Sequence, residues 1–242
     1  MTELTDIFDT HAHYDDRAFD EDREELLASL PKQAIARVVN VGANLASCKR
    51  TVELTEKHNF IYGAIGIHPS ETAELEQEGA WQSLRELYRA EKCVAVGEIG
   101  LDYYWDEPER EVQKKWFARQ LNLARELGLP VIIHSRDAAR DTADIMKAER
   151  AGEIGGVVHC FSYTKETART FLDMGFFFGI GGVLTFRNAR KLKEAVEYIP
   201  LECIVLETDC PYLAPVPYRG KRNSSLYLPY VAAALAEIKG IG

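Results

Sequence analysis

Cys93-Val94-Ala95-Val96-Gly97-Glu98, a helical stretch over 110–127, and Gly128-Leu129-Pro130-Val131-Ile132-Ile133-His134 read as one strand–helix–strand unit. Within 110–127, Val112, Trp116, Leu123 and Leu127 share one helical face, while Arg110, Lys114 and Arg125 can face water. Gly128 and Pro130 stop that helix, since glycine takes the left-handed cap and proline cannot continue the hydrogen-bond ladder. Each flanking apolar run ends on one polar residue, Glu98 or His134. Alternating side chains on a strand share a face, so Val94 and Val96 fill the interior and Glu98 emerges at its end.

The same unit recurs along the chain. Strands are expected over Ile7–His11, Arg37–Gly42, Ile61–His68, Cys93–Glu98, Val131–His134, Gly156–His159, Phe176–Gly179 and Ile204–Asp209. Helices are expected over 20–30, 45–58, 76–91, 110–127, 138–151, 164–174, 188–198 and 228–239. Strict alternation places the chain in the α/β class as a closed parallel (β/α)8 TIM barrel, one domain over 1–242, with an open doubly wound sheet as the alternative. Gly179-Ile180-Gly181-Gly182 lacks the spacing of a dinucleotide fingerprint, and Pro211 to Pro217 reads as a loop after strand 8.

Composition narrows the function classes. No apolar run approaches the roughly 18 residues that span a bilayer, and no secretory leader is expected. Five cysteines without C-x-x-C spacing suit reduced thiols in a cytoplasmic enzyme. The formal net charge of −9 argues against a surface that coats duplex DNA, but not against a pocket that grips one strand end.

Chemistry gathers at the strand ends: His11 and His13, Glu98, His134, His159 and Asp209. His-x-His alone is weak evidence, more often two hydrogen-bonded rim histidines than a metal site; six such residues at one barrel end point to divalent metal. One zinc ion needs about three protein ligands, so six suggest two ions bridged by Glu98. His11, His13 and Asp209 would complete one site and His134 with His159 the other, around magnesium, manganese or zinc. Such a pair would activate a water, with Asp209 able to accept its proton. His58, late in helix 2, is assigned to the surface or helix end.

Asp9-Thr10-His11-Ala12-His13, Gly66-Ile67-His68-Pro69, Gly97-Glu98-Ile99-Gly100-Leu101-Asp102-Tyr103, His134-Ser135-Arg136, His159-Cys160-Phe161-Ser162 and Glu207-Thr208-Asp209-Cys210-Pro211-Tyr212 together resemble the TatD family of metal-dependent deoxyribonucleases. The resemblance runs over nearly the whole chain. It implies an amidohydrolase-like barrel, a magnesium-type requirement, the same six ligands, and hydrolysis of DNA, often as a 3′-end exonuclease. DNA, single-stranded or at 3′ ends, is then the expected partner, with no membrane and no obligate protein partner.

Other matched positions suggest substrate contacts. His68 and Arg136 would meet phosphate oxygens, the latter bidentately. Arg219, Lys221 and Arg222 form either a phosphate-binding cluster or solvated loop charge. Tyr103, Tyr104 and Trp105 either stack a base or pack under a loop. Asp9 and Glu207 are expected to orient ligands, and Cys160 and Cys210 to turn away from them. The chain departs from its relatives at Ser224-Ser225, where many carry glutamate, and it stops at Gly242, where relatives commonly continue. Two other readings remain: a barrel hydrolase of a small phosphate, carboxylic or aminoacyl ester, and a binding scaffold. Glu98 stands where a carbamylated lysine would bridge metals in one version of the former, and a scaffold has no need of so many clustered ligands.

Overall fold

Eight strands lie in one parallel sheet in the order β1 to β8 in a computed structural model describing residues 5–241. The strands are β1 (Ile7–Ala12), β2 (Ile35–Val41), β3 (Ile61–Ile65), β4 (Cys93–Asp102), β5 (Val131–Arg136), β6 (Gly156–Val158), β7 (Phe177–Ile180) and β8 (Ile204–Leu206). Helices α1 (Arg23–Ser29), α2 (Leu45–Lys57), α3 (Ala80–Leu87), α4 (Arg110–Leu127), α5 (Ala139–Ala148), α6 (Lys165–Leu172), α7 (Arg190–Tyr198) and α8 (Leu228–Lys239) alternate with them. The sheet curls into a nearly closed barrel. Its seam is joined at the C-terminal ends of β1 and β8, where the Asp209 N–H donates to His11 O (2.9 Å) and the His13 N–H to Cys210 O (2.8 Å). Lower down, the seam is a groove lined by Ile7, Phe8, Val205, Leu206, Leu228 and Ala232. Among the described residues no helix is long and apolar enough to cross a membrane.

Several element ends differ from the sequence expectation, and the differences shape the site. β4 continues four residues past Glu98 because β5 continues beside it, pairing Gly100 with His134 and Asp102 with Arg136. Glu98 is therefore not a strand tip; it sits in an irregular stretch between Val96 and Ile99. That stretch is tightly packed: a Cβ on Gly97 would lie 2.6 Å from the Ile132 Cβ, so only glycine lets β4 approach β5 there.

β3, in contrast, stops at Ile65, and His68 caps a 3-10 turn over Pro69–Glu76. Proline at the first position of that turn has no N–H to continue a ladder. β8 ends at Leu206, so Glu207 and Asp209 do not follow strand alternation, and Asp209 adopts a left-handed backbone (φ 57°). The expected first and third helices are shorter, α1 and α3, flanked by 3-10 turns.

α4 has the expected length, but its buried face is not wholly apolar. Gln113, Trp116, Phe117, Gln120, Leu121, Leu123 and Ala124 are buried, and Leu127 is 38% exposed. The two glutamines, seven residues apart, reach the strand ends. Gln120 accepts from the Ile67 N–H (2.8 Å) and donates to Ile67 O (3.1 Å). Gln113 does the same for Asp102, at 2.9 and 3.1 Å. An outer helix thus holds the backbone beside His68 and at the end of β4, satisfying amides that no strand partner reaches.

Candidate metal centre

Glu98 lies at the middle of the barrel mouth, 3% exposed. Its Oε1 is 2.6 Å from His134 Nδ1, 3.0 Å from His159 Nε2 and 3.9 Å from His68 Nε2. Its Oε2 is 3.5 Å from His11 Nε2 and 3.9 Å from His13 Nε2. Asp209 Oδ1 faces His13 Nε2 at 3.3 Å and His11 Nε2 at 3.8 Å. Ligand atoms converge in three overlapping groups: His11, His13 and Asp209; His11, Glu98 and His159; and His68, Glu98 and His134. All six residues named as ligands enter these groups. The grouping differs from the expected division, because His134 shares its group with His68 rather than with His159.

The outer nitrogens of His13, His134 and His159 face oxygen atoms that orient their rings, whereas the buried Nδ1 of His11 has no hydrogen-bond partner among the described residues. His13 Nδ1 sits 2.8 Å from Val41 O and must donate, which leaves Nε2 unprotonated and aimed inward in the neutral ring. His159 Nδ1 faces Glu207 Oε1 (3.3 Å), and His134 Nε2 faces Asp102 Oδ2 (3.2 Å). His68 is arranged the other way. Its Nδ1 accepts from the Ser70 N–H (3.2 Å), so the proton of the neutral ring is on Nε2, toward Glu98. Four inward-facing imidazoles with a buried and a half-buried carboxylate, Glu98 and Asp209, are a donor set that fits divalent cations, whereas His68 presents a proton.

Electrostatics agree with that fit. Burial opposes ionisation of Glu98, but the His159, His134 and His68 rings and a hydrogen bond from His11 outweigh it, holding the carboxyl well below its ordinary range. Asp209 is likewise lowered against burial, by His13, His159 and His11. His13 is raised to about 9: burial is overcome by its hydrogen bond to Asp209 and by the charges of Asp209, Glu98 and Asp15. The stacked pair His11 and His159, 3.7 Å between centroids, splits. Burial and the neighbouring His159 lower His11, whereas Glu98 and Glu207 raise His159 despite its burial. Burial brings His68 down to about 3, keeping it neutral. Protons on His13 and His159 occupy places where the carboxylates favour positive charge.

Asp9 and Glu207 act differently from one another. Glu207 Oε1 accepts from the Cys160 N–H (2.6 Å) beside His159, and Gly179 makes room for it, since a Cβ there would lie 1.9 Å from Oε2. Asp9 does not reach the His11 ring. It accepts from the His11 N–H (3.3 Å), the Thr208 N–H (3.0 Å) and hydroxyl (2.7 Å), and the Ser225 hydroxyl (2.6 Å), so it ties the β1–β8 seam instead. Burial pushes its carboxyl up to about 7 against those bonds. Ser225 is thus a partner of this carboxylate.

The remaining expectations separate cleanly. Tyr103 packs, donating to Asp141 (2.7 Å), whereas Tyr104 and Trp105 are exposed. Arg136 is exposed, with its guanidinium 3.9 Å over the Tyr104 ring. Arg222 is tied to Asp22 (2.7 Å) and Ala18 O (2.8 Å), Arg219 lies over Phe186 and Lys221 over Tyr218, so the three do not form one cluster. Neither Cys160 nor Cys210 enters a ligand group among the described residues. His58 caps α2 with its ring mostly covered. Sequence reasoning missed Asp102, Gln113 and Gln120. Asp102 stood within the Gly97–Tyr103 signature, but a strand drawn to end at Glu98 hid that it also reaches the mouth.

A family profile described as TatD related DNase matches residues 8–242, and the chain belongs to that family. It is 44% identical over 234 residues to the uncharacterized metal-dependent hydrolase YabD of Bacillus subtilis (strain 168), covering 96% of this chain and 91% of YabD. Among solved structures, YjjV, a TatD homolog from Escherichia coli K12, matches with a TM-score of 0.88 at 32% identity, over 96% of this chain and 90% of that one. A hydrolase TatD family protein from Entamoeba histolytica matches with a TM-score of 0.90 at 26% identity, over 100% and 94%. The protein is a TatD-family metal-dependent hydrolase.

Proposed function

We propose that this protein is a cytoplasmic deoxyribonuclease that hydrolyses phosphodiester bonds of single-stranded DNA or of 3′ ends, proceeding 3′ to 5′. The observation that carries the reading is Glu98, a buried carboxylate with five imidazoles within 4 Å, in a chain of a DNase-related family. His11, His13, Glu98 and Asp209 would hold one divalent ion, and Glu98, His134 and His159 the other; magnesium, manganese and zinc all suit this donor set. When bound, the ions supply Lewis-acid polarisation of phosphate and a nucleophilic water near neutral pH.

The residues do the rest. Asp209, held ionised by His13, takes the proton of the attacking water as its oxygen bonds to phosphorus; the bond to the bridging 3′-oxygen of the preceding nucleotide breaks, and that oxygen takes a proton from solvent to leave as the 3′-hydroxyl. The neutral His68 ring donates a hydrogen bond from its Nε2–H to a phosphate oxygen, and Arg136 contacts the same group from the rim. The net charge of −9 suits a local grip of this kind rather than a duplex-coating surface.

The test is release of nucleotides from a 3′-labelled single-stranded oligonucleotide by protein loaded with magnesium, manganese or zinc, with and without chelator. Chelator-sensitive release from the 3′ end is expected. Absence of cleavage with every metal, or a far larger kcat/KM for a small phosphate or carboxyl ester, would overturn the assignment to DNA.

A further inference from the structure

We propose that Tyr104 and Trp105, braced by Arg136, form the seat for one nucleobase beside the metal centre, so that the enzyme takes nucleotides whose bases are unstacked. This rests on the phosphodiesterase reading above and adds a source of selectivity to it.

Trp105 is 64% exposed and Tyr104 56%, with their rings edge to face at 5.1 Å. The other two tryptophans are packed together: Trp116 is 2% exposed and its ring is 5.3 Å from that of Trp81. The exposure at 104–105 is not looseness, because the segment is pinned to the site. Asp102 Oδ1 accepts from the backbone N–H of Tyr104 (2.9 Å) and Trp105 (3.2 Å), while its other oxygen faces His134. The Tyr103 N–H donates to Arg136 O (2.9 Å), fastening the loop to the end of β5. One carboxylate therefore sets both a metal-facing ring and two aromatic residues held open to solvent.

The chemistry of the ledge suits a base. Two aromatic rings and a guanidinium plane 3.9 Å from one of them offer stacking and cation–π surface, which accept any base because every base has a π face. Arg136 also carries the charge to meet the phosphate of the same nucleotide, two residues along β5 from His134. Inside a duplex both faces of a base are covered by neighbours, so only a terminal or unpaired base can occupy this ledge.

Two substrates separate the outcomes: a single-stranded oligodeoxythymidylate, and the same strand with abasic residues at its last two 3′ positions. Intact protein is expected to prefer the base-bearing strand by about tenfold in kcat/KM, the weight of one stacked base. Trp105→Ala, and more so Tyr104→Ala with Trp105→Ala, should collapse that ratio toward one, mainly through KM, and Trp105→Phe should preserve it. Binding is read independently by titrating metal-loaded protein with a hydrolysis-resistant phosphorothioate oligodeoxythymidylate, following tryptophan emission with Trp105→Phe as the blank. Cleavage with no base preference overturns the ledge and leaves the phosphodiesterase. Base-dependent quenching of Trp105 without hydrolysis of DNA sustains the ledge and removes the phosphodiesterase. Neither binding nor cleavage overturns both.

Discussion

Asp102 and Glu98 grip His134 from opposite sides: Oδ2 of Asp102 is 3.2 Å from Nε2, and Oε1 of Glu98 is 2.6 Å from Nδ1. With a metal ion taking the Nδ1 lone pair, the Asp102 contact would hold the ring proton on Nε2. Asp102→Asn keeps an oxygen for the Tyr104 and Trp105 amides but offers an N–H where the imidazole needs an acceptor. Metal affinity or kcat/KM is expected to fall about 10- to 100-fold, with circular dichroism unchanged. A metal titration that matches the parent protein would separate Asp102 from the site.

Asp209→Asn retains the side-chain shape and removes the charge that both His13 and the proposed proton transfer require. The fold should survive, and kcat should drop about 10²- to 10⁴-fold in single-turnover assays on an oligonucleotide. Near-normal turnover would take the base role away from this residue.

Metal binding should depend on pH in a direction that His13 sets. Its pKa in the metal-free protein is raised to about 9, so below that value a divalent ion must displace a proton. Apparent affinity is expected to rise with pH, by about tenfold per unit for each proton displaced, the His13 contribution ending above about 9. Competition titrations between pH 6.5 and 9.5, run in buffers of different ionisation heat, count the protons released. An affinity that does not change across that range would contradict the assignment.

Gln120→Ala strips both partners from the backbone of Ile67, leaving a buried N–H and C=O unpaired next to His68. Each unsatisfied group costs about 1–3 kcal/mol. The urea midpoint should fall accordingly with an unchanged slope. A change below about 0.5 kcal/mol would mean that water replaces the glutamine at the Ile67 amide.

How much of this was legible depended on whether the signal was local. α4 and α8 could be bounded from periodicity and caps because their hydrogen bonds lie within the segment. Strand ends could not, since a strand lasts as long as its neighbour pairs with it. β4 reaches Asp102 only because β5 runs on to Arg136, and β8 stops at Leu206 as the seam with β1 takes over. Nothing local in the linear pattern shows that two strand ends lie beneath the glutamines of α4.

By itself, the sequence determined the alternating barrel, the family and the six ligand-type residues, since each His, Glu or Asp follows a run whose burial leaves it no other place than the mouth. Tertiary structure decided the rest: that Glu98 lies in the middle of β4 yet central to five imidazoles, that Asp102 and Glu207 stand behind two rings, that Asp9 holds the seam, and that His68 turns a proton inward. Apart from the local Ser70 contact that sets the His68 proton, those relations join atoms dozens to hundreds of residues apart. Their distances and lone-pair directions exist only once the barrel has closed.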